Sequence, residues 1–406
     1  MTRRATARGA ERTPLEGARA DVLVCGASFA GLAVARELAG AGARVLVVDR
    51  YEIGERATSA CAAPTPWLRA MGVESAILQE IPRMRFATPH GAARWRLPWS
   101  WSSFDYRKLC LALWAQCGDA RFETAKVEGR EPRGPGGEIA VRTDRGTLRA
   151  RFVVDALGWR RVLARDGYQP PDAPLSRGLE VHPHDGRGVD LEVWVDRSLA
   201  RRGYGWSVPA GAERRIGVGS YEPRDHVKEP TRALAAREGA EAVRWQGNWF
   251  PHRLRAASDG EVFYVGDSAG HCFPLSGEGI RTAFYFGIAA GREIRSALAG
   301  EVPPGEALRR YGAFSAARAP AFALALALQR TIPALPPRLL TALLRAMGRR
   351  RLVDRVFGFY LEQAPPSYAL SSAREAEAGT DAAGNGSGPA RPSITTVTAS
   401  SAASSP

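Results

Sequence analysis

The fold is decided by the stretch Asp21-Val-Leu-Val-Cys25-Gly26-Ala-Ser28-Phe-Ala-Gly31, in which a short apolar run leads directly into glycine. The run predicts a buried strand, and residues 29–38 predict a helix because alanine and leucine are frequent there. A second apolar run at 43–49 predicts another buried strand. Strand, glycine turn, helix and strand follow one another within about thirty residues, which is the pattern of a βαβ unit.

The spacing of Gly26 and Gly31 is typical of a dinucleotide-binding turn. In such a turn the first glycine makes the tight bend, and the last lets helix and strand pack closely. The N–H groups of the helix N-terminus then attract a diphosphate. Ser28 replaces the usual middle glycine, and its hydroxyl could itself donate to a phosphate. Asp49, at the end of the second strand, is placed to bind ribose hydroxyls. A glycine turn without a nucleotide is the alternative.

Two later segments show a strand that ends in an acid and a glycine. They are Phe152-Val-Val-Asp155-Ala-Leu-Gly158 and Gly266-Asp267-Ser-Ala-Gly-His-Cys-Phe-Pro274-Leu-Ser-Gly277-Glu-Gly279-Ile280. An acid followed by closely spaced glycines can place a carboxylate on ribitol hydroxyls. The backbone N–H groups of such a loop can face a diphosphate or a flavin carbonyl.

The order GxxxxG, VVDAxG and YVGDSAGxxxPxxGEGI resembles the flavoprotein superfamily of aromatic hydroxylases, flavin halogenases and geranylgeranyl reductases. The resemblance covers residues 21–298, and the last motif is most similar to the geranylgeranyl reductase branch. It implies bound FAD, with the loop from Pro274 and the helix after Gly279 lying against the isoalloxazine ring. The cofactor-binding residues that motif and resemblance together predict are Gly26, Ser28, Gly31, Asp49, Arg50, Arg107, Asp155, Gly158, Gly266, Asp267, Pro274, Gly277, Gly279 and Ile280.

A further segment, Tyr204-Gly-Trp206-Ser-Val208-Pro, is followed seven residues later by Gly217-Val-Gly219. It is similar to the YxWxFP…GxG signature that lines the substrate cavity of prenyl reductases, although Val208 replaces phenylalanine and the spacer is one residue shorter. An ordinary strand pair with a buried tyrosine and tryptophan is the alternative. Together with Trp95, Trp99, Trp101 and Phe104, these aromatic residues predict a wall for an apolar ligand.

The candidate catalytic residues are Tyr204, as a proton donor, Trp206 and Cys61. Some prenyl reductases carry a cysteine beside the flavin in a Cys-Gly-Gly context, whereas Cys61 is followed by two alanines. A small buried hydrophobic residue is therefore the alternative for Cys61. For His271 and Cys272, within the third motif, packing is the favoured interpretation.

The resemblance implies reduction of C=C bonds of an apolar, isoprenoid-like substrate by hydride transfer from reduced flavin. The sequence has no second GxGxxG fold, so NAD(P)H would dock transiently as electron donor or another reductant would serve. The first alternative is an FAD-dependent monooxygenase, but Gly270 before His271 and Ile280-Arg281 after the last glycine depart from that branch's motif. Halogenation is disfavoured because Tyr204 breaks the WxWxIP motif. The second alternative is a non-catalytic flavin-binding or membrane-docking protein.

The chain of 406 residues has a formal charge of +14, carried mostly by arginines that are spread along it. No basic helix with interleaved aromatic residues is present, so a nucleic-acid partner is not expected. Five scattered cysteines without a CxxC pair predict neither disulfides nor a zinc site. His182 and His184 point to the same side of a strand without a third ligand, which favours a solvated face over a metal site. A cytoplasmic protein is expected.

The predicted fold class is α/β, α+β overall, with a Rossmann-type FAD-binding domain, an inserted β-rich substrate domain and a helical C-terminal segment. No apolar run reaches the ~20 residues of a membrane span, the nearest being 319–328. The arginine-rich helical segment instead predicts peripheral contact with a membrane or a helical cap. The boundaries are a disordered N-terminus at 1–20, the FAD-binding domain at 21–83, 100–170 and 255–300, the substrate domain at 84–99 and 171–254, the helical segment at 301–370, and a disordered tail at 371–406.

Overall fold

The computed structural model describes residues 12–57, 59–134, 136–164 and 174–370. Its strands are β1 (Arg19–Cys25), β2 (Val45–Asp49), β3 (Ala62–Pro64), β4 (Ile77–Thr88), β5 (Gly91–Phe104), β6 (Arg121–Thr124), β7 (Val127–Arg130), β8 (Ile139–Thr143), β9 (Gly146–Asp155), β10 (Leu175–Val181), β11 (Leu191–Trp194), β12 (Gly203–Ala210), β13 (Glu213–Ser220), β14 (Gln246–Pro251) and β15 (Val262–Tyr264). Its helices are α1 (Phe29–Glu37), α2 (Thr65–Ala70), α3 (Tyr106–Trp114), α4 (Lys228–Arg237), α5 (Ile280–Leu298), α6 (Pro304–Ala316), α7 (Ala319–Thr331), α8 (Pro337–Met347) and α9 (Arg350–Glu362).

The predicted βαβ unit forms the middle of a seven-stranded sheet with the order β6-β2-β1-β9-β8-β7, in which β15 also pairs with β9. Strands β6, β2, β1, β9 and β15 are parallel, while β8 and β7 add an antiparallel edge. The parallel strands read as continuous apolar runs because both sheet faces are covered. Their carboxyl ends meet where α1 begins, which confirms the predicted Rossmann-type domain.

Helices α1 and α5 lie against each other, and two glycines of α5 allow the close approach. A Cβ on Gly287 would lie 2.7 Å from the Ala30 carbonyl oxygen, and one on Gly291 would lie 2.6 Å from the Glu37 Cβ. The rest of α5 is largely buried in the core of this domain. The contact fixes the start of α5 relative to the glycine turn.

The second sheet has eight strands in the order β14-β10-β13-β12-β11-β4-β5-β3. Strands β4 and β5 pair along their full length, from Ile77 opposite Phe104 to Thr88 opposite Gly91. The second sheet thus includes 77–104 and β3, more than the predicted 84–99. The prediction was too short because only the middle of this hairpin alternates clearly between apolar and polar residues.

The C-terminal helices pack on the second sheet through tryptophans of β5. The Trp95 indole donates to the Leu344 carbonyl oxygen at 2.9 Å, and the Trp99 indole donates to the Phe357 carbonyl oxygen at 3.3 Å. Val353 and Phe357 of α9 join the same apolar cluster. The predicted helical segment therefore caps one face of the second sheet.

Residues Pro304–Ala334 form a stretch that is long and apolar enough to cross a membrane by length and composition, with 22% of the apolar window buried. The sequence prediction of no such stretch was wrong because it counted only the uninterrupted apolar run at 319–328. In the structure Tyr311 and Ser315 of α6 and Phe322 of α7 are buried against the protein. One side of this stretch is therefore packed against the protein core.

The N-terminal residues 12–20 are ordered, against the prediction of disorder over 1–20. The Leu15 N–H donates to the Arg145 carbonyl oxygen at 2.7 Å, the Gly17 N–H donates to the Thr147 carbonyl oxygen at 3.0 Å, and β1 begins at Arg19. The segment looks polar in sequence, but its backbone pairs with the β8–β9 turn. Residues 1–11 and the predicted disordered tail at 371–406 lie outside the described residues.

The α1–α5 contact predicts different effects for two helical glycines. Gly287→Ala should lower the free energy of unfolding by about 1 to 3 kcal/mol because the new methyl group collides with backbone of α1. Gly305→Ala in α6 meets no atom within 4 Å and should change it little. Urea denaturation of both variants measures this, and equal stability of the two would contradict the proposed close packing.

Candidate active site

The turn between β1 and α1 leaves no room for side chains at its two glycines. Gly26 has a φ of +115°, and a Cβ there would lie 2.3 Å from the Ala156 carbonyl oxygen. A Cβ on Gly31 would lie 1.9 Å from the Gly26 carbonyl oxygen. The helix therefore starts directly against the strand end, as the dinucleotide-binding interpretation requires.

Ser28 precedes the first residue of α1 but does not cap the helix with its side chain. Its hydroxyl oxygen instead accepts a hydrogen bond from the Tyr106 hydroxyl at 3.0 Å. The N–H groups of the first helical turn are thus left without a side-chain acceptor from Ser28. Such a helix N-terminus favours an anionic ligand.

Asp49 ends β2 beside this turn. One carboxylate oxygen accepts from the Ala27 N–H at 2.8 Å and the other from the Tyr51 N–H at 3.0 Å. Burial raises the pKa of Asp49, and these two N–H groups oppose the shift. The structure places Asp49 next to the turn, where the sequence predicts ribose binding.

Two arginines near the turn are exposed and form no ion pair with the described residues. Arg50 follows Asp49 and lies over the Tyr51 ring at 4.9 Å, while Arg107 lies in the first turn of α3. Arg107 borders an open cavity of about 390 Å³ between the first domain and the β12–β13 hairpin. Both cations are free to meet a diphosphate.

Asp155 is fully buried at the end of β9, and its carboxylate is occupied by the chain itself. It accepts hydrogen bonds from the Leu157 N–H, the Leu163 N–H and the Ser268 hydroxyl, at 3.0, 2.8 and 2.7 Å. Ser268 also donates to the Gly158 carbonyl oxygen. Asp155 and Gly158, predicted to bind the cofactor, therefore tie two loops together instead of presenting a carboxylate to a ligand.

Asp267 follows Gly266, which has a φ of +59°. Its carboxylate has no hydrogen-bond donor among the described residues, and burial raises the pKa of Asp267 to about 7. A Cβ on Gly279 would lie 3.7 Å from Asp267 Oδ1, so the carboxylate faces the start of α5. A desolvated carboxylate without a donor is costly, and the hydroxyls of a ligand would compensate it.

The flavin loop, residues 274–279, contains Pro274, Gly277 and Gly279 and ends where Ile280 begins α5. Two tyrosines of the second sheet hold its backbone: Tyr204 donates to the Ser276 carbonyl oxygen at 2.5 Å, and Tyr221 donates to the Leu275 carbonyl oxygen at 2.8 Å. The loop is thus fixed by the second sheet as well as by its own domain.

Trp206 lies on a shelf made of three glycines. A Cβ on Gly217 would lie 2.3 Å from the indole, and those on Gly219 and Gly178 would lie 3.2 and 3.4 Å from it. Tyr204, two residues away on the same face, has its ring 5.9 Å from that of Trp206. The Gly217-Val-Gly219 motif therefore makes space for a flat aromatic surface beside the flavin loop.

The predicted aromatic wall is only partly correct. Trp95 and Trp99 bind the C-terminal helices, and Trp101 packs in the same cluster. Phe104 is fully buried in the core of the first domain, against Phe29. The sequence could not separate these roles because β5 passes from the cap to the first domain along its length.

Cys61 has a φ of +50° and is 2% exposed. Its thiol contacts the Ser59 carbonyl oxygen at 3.1 Å, and its own carbonyl oxygen accepts from Arg215. Burial raises the pKa of Cys61 to about 12. The thiol therefore keeps its proton at neutral pH, which agrees with a buried hydrophobic residue better than with a reactive group.

The histidines have different roles. His271 is fully buried, stacks on Phe286 at 3.6 Å and contacts the Ser315 hydroxyl, so the packing interpretation is confirmed. The interpretation of His182 as part of a solvated face was wrong, because its Nε2 lies 2.9 Å from buried Glu180. His184 lines the open cavity. In the described part of the chain, no group of three His, Cys, Asp or Glu side chains could hold a metal ion.

Several functional contacts were missed from the sequence. Tyr106 holds Ser28, Tyr221 holds the flavin loop, and Glu180 accepts from the Trp206 indole. A signal for Glu180 existed, since it is the one acid in β10 and stands between two apolar residues, Leu179 and Val181. Its position opposite Gly217 depends on the register between β10 and β13, which cannot be read from the sequence.

These residues together supply the groups that would hold FAD. The glycine turn and Asp49 would hold the adenosine end, Arg50 and Arg107 the diphosphate, and Asp267 the ribitol hydroxyls. The carboxylate without a donor and the two unpaired cations are the features that a dinucleotide with hydroxyls would complement.

No protein-family model matches the sequence. The chain is 28% identical over 328 residues to digeranylgeranylglycerophospholipid reductase 2 of Methanopyrus kandleri, covering 72% of this chain and 81% of that protein. It is 26% identical over 315 residues to digeranylgeranylglycerophospholipid reductase 1 of Methanothermobacter thermautotrophicus, covering 68% and 77%. The chain is an FAD-dependent oxidoreductase similar to the geranylgeranyl reductases.

Solved structures share the fold of this flavoprotein. A geranylgeranyl bacteriochlorophyll reductase-like protein of Thermoplasma acidophilum superposes with a TM-score of 0.74 at 17% identity, covering 87% of this chain and 98% of that one. PqsL of P. aeruginosa in complex with 2-aminobenzoylacetate gives 0.62 at 19% identity, covering 80% and 99%. The flavin-dependent brominase Bmp2 gives 0.65 at 15% identity, covering 89% and 100%. At these identities the likeness concerns the fold alone.

Asp267 supplies a test of the flavin site. Asp267→Asn should weaken FAD binding by about 10- to 100-fold, because a charge-assisted hydrogen bond to the ligand is lost. Titration of the apoprotein with FAD, followed by flavin fluorescence, measures this. Asp119→Asn, at an exposed position, is the matched control and should bind FAD like the unchanged protein.

The same substitution should stabilise the apoprotein above neutral pH. The pKa of Asp267 rises from 3.8 to about 7 on folding, so the folded apoprotein holds this proton more tightly than the unfolded chain. Stability therefore falls as pH increases between these values, and Asp267→Asn removes that part of the dependence. Urea denaturation of the apoprotein at about pH 5 and about pH 8 measures how much of this dependence the variant loses. An unchanged pH dependence in the variant would contradict the assignment.

Proposed function

We propose that this flavoprotein reduces C=C bonds of an apolar, isoprenoid-like lipid by hydride transfer from reduced FAD. The observation that carries the proposal is the aromatic surface of Tyr204 and Trp206 on its glycine shelf beside the flavin loop. A flat apolar surface suits an extended, branched hydrocarbon chain. The names of the relatives, which are reductases of digeranylgeranylglycerophospholipids, support the same substrate class.

Reduced FAD, bound in this site, would supply a hydride from its N5 position. The chain contributes orientation and exclusion of water. Tyr204 and Tyr221 hold the flavin loop, while Trp206 and the apolar cluster that joins β5 to α9 keep the adjoining sheet face dry. Cys61 contributes packing to the core of the first domain. We further propose that NAD(P)H docks transiently to reduce the flavin, since the sequence contains a single dinucleotide turn.

A monooxygenase is the competing function, because proteins of that fold are built alike. The third motif does not favour it: Arg281 occupies the position after Ile280 and is fully buried in a pair with Glu278. This arrangement ties the flavin loop to the C-terminal cap and leaves no amide side chain at that position. The experiment below distinguishes reoxidation of the flavin by oxygen from its reoxidation by a lipid.

The proposed reaction predicts how reduced flavin is reoxidised. With FAD bound and reduced without oxygen by NADPH, or by dithionite where NADPH does not react, a geranylgeranyl lipid should restore the oxidised flavin spectrum. A saturated lipid of the same length is the control and should not. Mass spectrometry should show two added hydrogens per double bond reduced. Reoxidation by oxygen alone, with a hydroxylated product, would contradict the reductase and establish the monooxygenase.

The C-terminal helices carry a surface that suits a membrane where such a lipid resides. The docking face consists of exposed large apolar side chains on three helices: Leu324, Leu328, Leu339, Leu343, Met347, Leu352, Val356 and Phe359. Phe359, the most exposed of them, is 54% exposed. Exposed arginines stand among them, including Arg338, Arg345, Arg351 and Arg355. We propose that this docking face binds an anionic bilayer peripherally, since apolar stripes would enter it and guanidinium groups would meet its headgroups.

Vesicle flotation tests the docking face. The protein should float with vesicles that contain phosphatidylglycerol and much less with purely phosphatidylcholine vesicles. The double variant Leu343→Glu, Phe359→Glu should lose flotation because it places two charges in the apolar face. Leu111→Glu, at an exposed position of α3 outside the docking face, is the control and should float normally. Flotation of the double variant at the unchanged level would contradict a membrane role for these helices.

A further inference from the structure

A buried carboxylate lies on the sheet face that carries the aromatic surface. Glu180 of β10 is 2% exposed and stands opposite Gly217 of β13, which in turn stands opposite Trp206 of β12. Residues that are directly opposite in neighbouring strands point to the same face of a sheet. Glu180 therefore belongs to the same face as Trp206 and Tyr204, yet the hydride step and the flavin contacts do not use it.

Three groups surround this carboxylate. One oxygen accepts from the Trp206 indole at 3.0 Å. The other accepts from the Gln246 amide at 2.5 Å and lies 2.9 Å from His182 Nε2. Gln246 also donates to the Ser59 carbonyl oxygen, in the loop that contains Cys61. Glu180 thus connects the aromatic surface on one side with an imidazole on the other.

His182 leads from Glu180 toward solvent. Its Nδ1 lies 3.9 Å from Glu213, and its side chain is 13% exposed. Burial acts to raise the pKa of Glu213, but Arg215, Arg244 and His182 outweigh it, so the pKa lies below its ordinary value. Glu213, Arg215 and the nearby His184 line the open cavity of about 390 Å³. A carboxylate whose pKa is lowered, beside His182, is suited to attract a proton from that cavity.

The other candidate proton donors of this region are less suitable. The Tyr204 hydroxyl already donates to the Ser276 carbonyl oxygen, and burial raises the pKa of Tyr204 above its ordinary value. Cys61 holds its proton because burial raises the pKa of its thiol to about 12. Neither group gives up a proton readily near neutral pH.

We propose that Glu180 donates the proton in the reduction of the C=C bond and that His182 restores it from the cavity beside Glu213. The proposal rests on the proposed function. Reduced flavin supplies both electrons as a hydride to one carbon of the double bond, and Glu180 supplies a proton to the other carbon. The double bond becomes a single bond with two new C–H bonds, and the flavin returns to its oxidised form. His182 then passes a proton from water to the Glu180 carboxylate.

The test separates the two half-reactions. Glu180→Gln keeps the size and the acceptor oxygen of the side chain but carries no transferable acid. Anaerobic reduction of the flavin should be unchanged, whereas reoxidation by a geranylgeranyl lipid should slow by about 100-fold or more. In the unchanged protein reoxidation should slow as pH increases and should slow further in D2O. The pH dependence and the solvent isotope effect should both disappear in Glu180→Gln. A substitution that only altered packing would leave both of them in place.

A second variant and a control complete the experiment. His182→Gln should slow the later turnovers more than the first, because His182 is needed only to return a proton after each transfer. Glu192→Gln, on the opposite face of the same sheet and paired with Arg85, should behave like the unchanged protein. Reoxidation of Glu180→Gln at the normal rate, with normal pH dependence, overturns the relay while leaving the reductase intact. If no polyprenyl lipid reoxidises the unchanged protein, the proposed function fails and the relay fails with it.

Discussion

Arg281 and Glu278 form an ion pair that solvent does not reach, at 2.8 Å, and both sides of the site depend on it. The Arg281 guanidinium also donates to the carbonyl oxygens of Tyr360 and Leu361 in α9, and the Tyr360 hydroxyl donates to Glu278 at 2.9 Å. Removing two charges from water is repaid only where their geometry and hydrogen bonds are good. The flavin loop, the start of α5 and the C-terminal cap are therefore held as one unit.

The same region contains a carboxylate of the opposite kind. Glu278 accepts hydrogen bonds from Arg281 and Tyr360. Asp267 has no hydrogen-bond donor among the described residues, and burial raises its pKa to about 7. Within this region the difference separates two tasks, since Glu278 stabilises the fold and Asp267 awaits a ligand. Asp155 resembles Glu278, with three donors from its own chain.

The sequence predicted the elements whose chemistry is local. Gly26 and Gly31 are separated by a fixed spacing, and the acid at Asp267 follows a strand, so turn, helix and loop could be placed from residue types alone. Contacts between distant strands could not. Glu180 gains its partners only through the register of β10, β13 and β14, and residues 12–20 look unstructured until the β8–β9 turn pairs with them. A one-residue change of register would place Glu180 on the other face.

The glycine shelf under Trp206 has a consequence for how this enzyme could change over generations. Gly178, Gly217 and Gly219 lie on two strands and contribute no side chain of their own, so the position of the Trp206 indole is set by the glycine backbone on which it rests. A methyl group at Gly217 would collide with the indole, and no atom of the first domain is among its nearest neighbours. Under the proposed function, substitutions at Gly217 and Gly219 would therefore reshape the surface that meets the lipid, and these two positions are where new specificities would arise and where an engineer would begin.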